Sequence, residues 1–425
     1  MNKSLLVILF FAIFSFQALS QNSVLQQGDP ITEKFSLERL QRIDRLIKQY
    51  IDSGWINGAN AFIARNGKIV YNKSFGLADA EKKTPMRPDN IFRIASQSKA
   101  ITSVAVMMLF EEGKFLLDDP ISKYIPSFAH PKVLAEFNPK DSTYTTIAAR
   151  REVTIRDLLT HTSGVDYVKI GSEKMRAIYQ KAGIPVGFES EKRLLADAIN
   201  KLGTLPLAHQ PGERFTYGLS IDVLGYLVEK VSGKSLDQFF KERIFTPLGM
   251  NDTYFYLPKE KYSRLVPVYT PDKQQHLTKW NATTFPGVSV DYPVADGTYY
   301  SGGGGLSSTI KDYAIFLQML LNNGVYNGHR LLARHTVEMM ITNQVGDLNV
   351  NGNKFGLGFQ VETKAGQAKL GESEGSFSWG GFFGTTYWAD PKEHLVCLLY
   401  VQEWPYPHDD LNNKFRVLVY SAMTD

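Results

Sequence analysis

Cysteine is nearly absent: Cys397 is the single one in 425 residues. One thiol forms no intramolecular disulfide and excludes a cysteine-built metal site. It sits in the apolar run "LVCLLYV" and reads as a buried core thiol. Histidine is sparse, with 8 in the chain, and none falls in an H-E-x-x-H or similar spacing, so no metal is expected. Basic residues form no stripe interleaved with aromatics, which argues against a nucleic-acid partner, and the formal net charge is only +4. No internal repeat or low-complexity tract is present. Past the first twenty residues, the most apolar stretch, Ile101 to Phe110, is too short for a bilayer span and reads as a buried helix ending at Gly113.

What is there is ample. Hydrophobic residues make up 43% and charged residues 21%, the balance of a globular protein. A length of 425 residues allows one large domain or two to three ordinary ones. The chain starts with a short basic segment, a continuous apolar run and a small-residue cleavage pattern, Ala18 and Ser20 before Gln21. Residues 1–20 therefore read as a secretory signal peptide, with a retained N-terminal anchor as the alternative. Cleavage predicts an exported protein, periplasmic or secreted, with no stable membrane span afterwards.

Leu37, Leu40, Ile43, Ile47 and Ile51 recur at helical spacing between a Ser36 cap and a Gly54 stop. Two β-rich runs then flank Asn66-Gly67, a strong hairpin signal. Helical patterns fill most of the middle. Strand patterns return in "FGLGFQVET", "GTTYWAD" and "HLVCLLYVQ", and "DDLNNKFRVLVYSAM" closes the chain as a helix. Strands at both ends around a helical middle predict one sheet assembled from both termini. The expected division is a sheet region at about 21–95 and 330–425, and a mostly helical region at about 96–329.

Three segments invite a catalytic reading. In "IASQSKAITS", Ser96 and Lys99 share a face of a helix start, where free N–H groups and the helix dipole favour developing negative charge. Burial disfavours the charged form of a lysine, so such a lysine can take the serine proton. This is an S-x-x-K acyl-transfer pattern, but about one or two matches arise by chance in a chain like this. A second copy, Ser308 to Lys311, reads better as a helix start capped by Thr309 and Asp312. The third is Gly371-Glu372-Ser373-Glu374-Gly375, a formal G-x-S-x-G with Asp390 and His394 downstream. A nucleophile elbow needs a strand before it and a helix after it, and β-like residues follow here. "SGGGG", Gly302 to Gly305, lacks the Lys-Ser/Thr of a phosphate loop. No cofactor is expected.

Six blocks occur in order: "FRIASQSK", "LLTHTSG", "PGERFTYGLSIDVLGYLVEKVSG", "FTPLGMNDT", "SGGGGLSST" and "WGGFFGTTYWADP". Together they resemble the serine β-lactamase-related family of class C β-lactamases, penicillin-binding D-alanyl-D-alanine peptidases and family VIII esterases. The resemblance runs from about Leu37 to the C-terminus. It implies an α/β, β-lactamase/transpeptidase-like fold, with a mainly antiparallel sheet flanked by helices and a largely helical second domain. It also implies that Ser96 is the acylated nucleophile, Lys99 its base and Tyr217 the proton-relaying tyrosine. The oxyanion hole would be the backbone N–H groups of Ser96 and Phe382. Trp379, Gly380, Gly381 and Leu219 are the implied substrate-binding positions, and His161 is implied to be structural.

Two departures from the β-lactamase pattern set the expected chemistry. Leu219 stands where β-lactamases carry an amide side chain, and Trp379-Gly380-Gly381 replaces Lys-Thr-Gly. The second change removes the charge-assisted contact to a β-lactam carboxylate. Both resemble the esterase branch, so a small-molecule carboxylic ester is the expected substrate, and loops such as "HPKVLAEFNPKDSTYTTIAARRE" are expected to shape its pocket. A β-lactamase, D-alanyl-D-alanine carboxypeptidase or D-aminopeptidase acting on an amide is the alternative. A non-catalytic binding protein on this scaffold is the second alternative.

Overall fold

The computed structural model describes residues 24–425 except 282 and 351; the signal peptide expected at residues 1–20 lies outside them. Helix α1 (Leu37–Asp52) starts at Ser36, whose hydroxyl accepts from the Arg39 N–H, and it buries Leu40, Ile43, Ile47 and Tyr50 on one face. The expected hairpin follows as β1 (Gly58–Arg65) and β2 (Lys68–Asp79). Its two-residue turn has Asn66 at φ 53° and Gly67 at φ 74°. Two successive positive φ values belong to a type I′ turn, whose twist matches the flanking strands.

Short β3 (Ile91–Arg93) leads into α2 (Ser98–Glu111), which is buried from Ser98 to Leu109. Helix α3 (Ser220–Ser232) follows in the helical middle, and then β4 (Ser307–Thr309) pairs antiparallel with β3 and runs straight into α4 (Ile310–Leu321). The chain ends with β5 (Phe377–Gly380), β6 (Thr385–Asp390), β7 (Leu395–Tyr400) and α5 (Asp410–Ala422).

The main sheet runs Gln26–Gln27, β2, β1, β7, β6, β5, Gln360–Val361, Lys354–Phe355. Pairing is antiparallel except between Gln26–Gln27 and β2. The joint between the two ends of the chain is β1 against β7, with Ile63 opposite Cys397. Along β7, Leu395, Cys397 and Leu399 pack with residues of α1 and α5, while Val396, Leu398 and Tyr400 join the core containing α2 and α4. Period-two alternation thus buries both faces of this strand. Among the described residues no helix is long and apolar enough to cross a membrane.

The middle holds more strand than its sequence predicts. The segment "HPKVLAEFNPKDSTYTTIAARRE", expected to shape the substrate pocket, forms a hairpin of Lys132–Phe137 against Tyr144–Ala148. Val133, Thr145, Thr146 and Ile147 favour this extended pairing. None of its residues lines the clefts around Ser96.

Candidate active site

Ser96 lies in a tight 3-10 turn, Ala95–Gln97, that feeds α2. The sequence around it holds the turn from several sides. Ser98 Oγ donates to the Ala95 carbonyl at 2.7 Å and accepts from the Leu306 N–H at 3.1 Å. Gln97 accepts from Tyr313 on its backbone oxygen (2.8 Å) and from Tyr400 on its side chain (2.6 Å). The serine-rich stretch is therefore mostly scaffold, and of these three residues Ser96 lines the clefts.

Lys99 is 2% exposed. Its Nζ donates to Ser96 Oγ at 3.3 Å, to the Tyr167 hydroxyl at 2.8 Å and to the Gly303 carbonyl at 2.5 Å. The same nitrogen stands 4.7 Å from the centre of the Tyr217 ring.

Tyr217 precedes α3 and packs on the "HTSG" loop. Thr216 N–H donates to the His161 carbonyl at 2.8 Å, and Gly218 N–H donates to His161 Nδ1 at 3.4 Å. The His161 ring sits 4.9 Å from the Tyr217 ring. Burial, reinforced by the Lys99 charge, holds His161 well below the usual histidine range. It is thus neutral and supports the tyrosine, in line with the structural reading of its loop.

β5 brings the third block to the same place. Trp379 Nε1 donates to the Tyr217 hydroxyl at 3.3 Å. At Gly381 a Cβ would fall 2.5 Å from the Ile94 carbonyl and 2.2 Å from Thr385 Oγ1. Only a glycine lets this strand end approach the Ser96 turn so closely. Phe382 follows and lines the space on both sides of Ser96. Leu219 is the exception. It is 2% exposed, belongs to the main core and lines neither side. It sits where the turn enters α3, and that turn directs its side chain inward. Its assignment as a substrate contact is corrected accordingly.

Two neighbours carry no signature in the sequence and were missed by reading it. Tyr167, in the loop after "HTSG", accepts from Lys99. Burial, reinforced by the nearby Asp222, pushes its hydroxyl well above the usual tyrosine range, so it keeps its proton. Asp222, in the first turn of α3, is 1% exposed and accepts from Ser301 Oγ at 2.6 Å and the Gly303 N–H at 3.2 Å. The one available signal was that Asp222 lies five residues after Tyr217, so the turn into a helix sets both.

The rival motifs have other roles. Thr309 caps α4 by accepting from the Asp312 N–H at 3.2 Å, Ser308 is buried in β4, and Lys311 is exposed. In the G-x-S-x-G segment, Gly371 ends the helix Lys364–Leu370 and β5 follows, the reverse of an elbow. The Ser373 N–H donates to Asp390, which also accepts from Tyr420.

Two clefts meet at Ser96. One is narrow and is walled by Val186, Phe188, Phe285, Val288 and Phe382, and Tyr167 and Asp222 also line it. The other is wider and is lined by Tyr217, Gln360, Ser378, Trp379, Thr386 and Arg416. Among the described residues no cluster of His, Cys, Asp or Glu is arranged to hold a metal ion.

Comparison with known proteins gives a consistent result. The family model described as Beta-lactamase matches residues 43–421. Esterase EstB of Burkholderia gladioli is 29% identical over 84% of this chain and 89% of its own length. A protein of Escherichia coli K12 described as a putative D-alanyl-D-alanine carboxypeptidase is 28% identical over 94% of this chain and 90% of its own. The structure of EstCE1, described as a hydrolase with promiscuous acyltransferase activity, superposes with a TM-score of 0.79 at 27% identity, covering 92% of this chain and 100% of that one.

Proposed function

Because the chain belongs to the β-lactamase family, a family of serine hydrolases with esterase and carboxypeptidase members, we propose that it cleaves carboxylic esters through an acyl-enzyme on Ser96. The observation that carries this is the convergence of three sequence-distant blocks on one serine. Lys99 lies within hydrogen-bond reach of Ser96, and Tyr217 lies over the lysine under Trp379.

In this reading Ser96 Oγ bonds to the ester carbonyl carbon while its proton passes to Lys99. The carbonyl electron pair moves onto oxygen, which the Ser96 and Phe382 N–H groups stabilise. Collapse breaks the bond to the alkoxy oxygen, which leaves as the alcohol with a proton relayed through Tyr217. Water then releases the acid by the same steps. Tyr217 lines the more polar cleft, so the alcohol lies there and the acyl group takes the aromatic cleft. The third block supports an ester over a β-lactam, since Trp379 offers no cation to a carboxylate. The apolar leader supports export, which N-terminal sequencing of the protein from the periplasm and medium checks.

The test compares a short-chain p-nitrophenyl ester, a chromogenic cephalosporin and a D-alanyl-D-alanine peptide. Ester turnover is expected to dominate. Ser96→Ala should abolish it and should remove the fluorophosphonate adduct seen by mass spectrometry. Fast cephalosporin or peptide turnover without esterase activity would transfer the assignment to the amide-cleaving branch.

A further inference from the structure

Next to Lys99, lining the same cleft as Ser96, is a turn, Ser301 to Gly304, that is held from two helices. Thr102 Oγ1 of α2 donates to the Gly302 carbonyl at 2.7 Å. Asp222 of α3 accepts from Ser301 Oγ at 2.6 Å and from the Gly303 N–H at 3.2 Å. A Cβ on Gly303 would lie 2.3 Å from Asp222 Oδ2, so glycine is what allows the carboxylate this close. Pinned in this way, Gly303 turns its carbonyl onto Lys99 Nζ at 2.5 Å.

A carboxylate 1% exposed pays heavily in lost hydration unless positive charge and donors face it. Around Asp222 the titratable groups are Lys99, Tyr167 and Tyr299. Burial raises the Asp222 carboxyl above its ordinary value, and Lys99, Ser301 and Gly303 each work against that rise by favouring the ionised form. Around Lys99 stand Tyr167, Tyr217, His161 and Asp222. Of these, His161 is held neutral and Tyr167 keeps its proton. Asp222 is the carboxylate of the group.

We infer that Asp222 is a positioning residue for acyl transfer: it sets the Gly303 carbonyl on Lys99 and supplies the negative charge facing the ammonium that Lys99 becomes on taking the Ser96 proton. This rests on the reading of Ser96 as nucleophile and Lys99 as its base. A neutral lysine has two N–H bonds and one lone pair. The Tyr167 hydroxyl and the Gly303 carbonyl accept the two N–H bonds, which leaves the lone pair directed at Ser96. As Ser96 Oγ bonds to the ester carbon, its proton moves to that lone pair. Positive charge then grows between Ser96 and Asp222. A carboxylate placed behind a base orients it and stabilises its protonated form; here it acts across a backbone turn.

Asp222→Asn keeps an oxygen for Ser301 and Gly303 and removes the charge. Its kcat on a p-nitrophenyl ester is expected to fall about 10- to 100-fold with little change in KM. The acid limb of its kcat/KM profile should move about one unit to lower pH, because the protonated base loses its counter-charge. Gly303→Ala probes the same contact from the other side. Its Cβ displaces the carboxylate, and its acid limb should move in the same direction. A structural pin alone would lower kcat and leave the profile in place. An acid limb unmoved in the folded variants, or an unchanged kcat in Asp222→Asn, overturns the inference. Fluorophosphonate labelling keeps the two readings apart. Slower labelling of Asp222→Asn, still on Ser96, supports the role of Asp222. A wild-type protein that never labels on Ser96 overturns the nucleophile assignment itself.

Discussion

Ala95, the residue before Ser96, has φ 43°. For an alanine this left-handed conformation costs about 1–2 kcal/mol, and the contacts of Ser98, Gln97 and Leu306 hold it in place. Strain of this kind gathers where a side chain must be presented in one direction. Glu403 shows a different residue-scale effect. It is 3% exposed, and burial raises its carboxyl to about 8. From about pH 4.5, its ordinary value, to about pH 8, the folded protein holds this proton and the unfolded chain does not. Stability therefore falls as pH rises through that window. Glu403→Gln should flatten this decline, as read from denaturant midpoints at pH 5 and pH 8. Equal slopes in variant and wild type would remove Glu403 from the account. At this scale Ser96 and Lys99 were legible because a three-residue spacing fixes their relation on a helix. Tyr167 and Asp222 were not, because long loop closures bring them to the lysine.

Among the elements, β5 is closely constrained where it nears the Ser96 turn. Its end passes the Ser96 turn with no room for a side chain at residue 381. Gly381→Ala should lower ester kcat/KM by about 100-fold, since roughly 1 Å of misplacement costs that much. The melting temperature should fall as well, because one of the atoms the new Cβ meets is the Ile94 backbone carbonyl. Retained activity in Gly381→Ala would show that the strand end yields, and would weaken the placement of Phe382 at the oxyanion. The β1–β2 hairpin and the capped helices α1 and α4 were readable because their signals are local: a two-residue turn, a hydroxyl at a helix start, a period in the apolar residues. The segment Lys132–Ala148 misled because its turn-rich composition resembles a loop, while its β-branched residues pair with one another and leave the clefts to other elements.

For the whole molecule, the central event is the joining of β1 to β7 across more than three hundred residues. Cys397 lies in the middle of that joint, fully buried, with its thiol pushed well above the usual cysteine range by burial. We expect it to resist thiol reagents in the native state and to label only on global opening. The labelling free energy should then match that from circular dichroism in denaturant; fast labelling in native buffer would contradict the order given to this sheet. The sequence by itself determined the helices, the hairpin, the strands at both termini and the pair Ser96–Lys99, because hydrophobic period, caps and turn residues act over a few positions. Tertiary structure decided what surrounds that pair. It placed Tyr217 over the lysine with Trp379 bonded to the tyrosine, set Leu219 in the core and brought the Gly303 carbonyl, held by Asp222, onto the base. Those relations depend on which buried surfaces close on one another, and no short stretch of sequence records that choice.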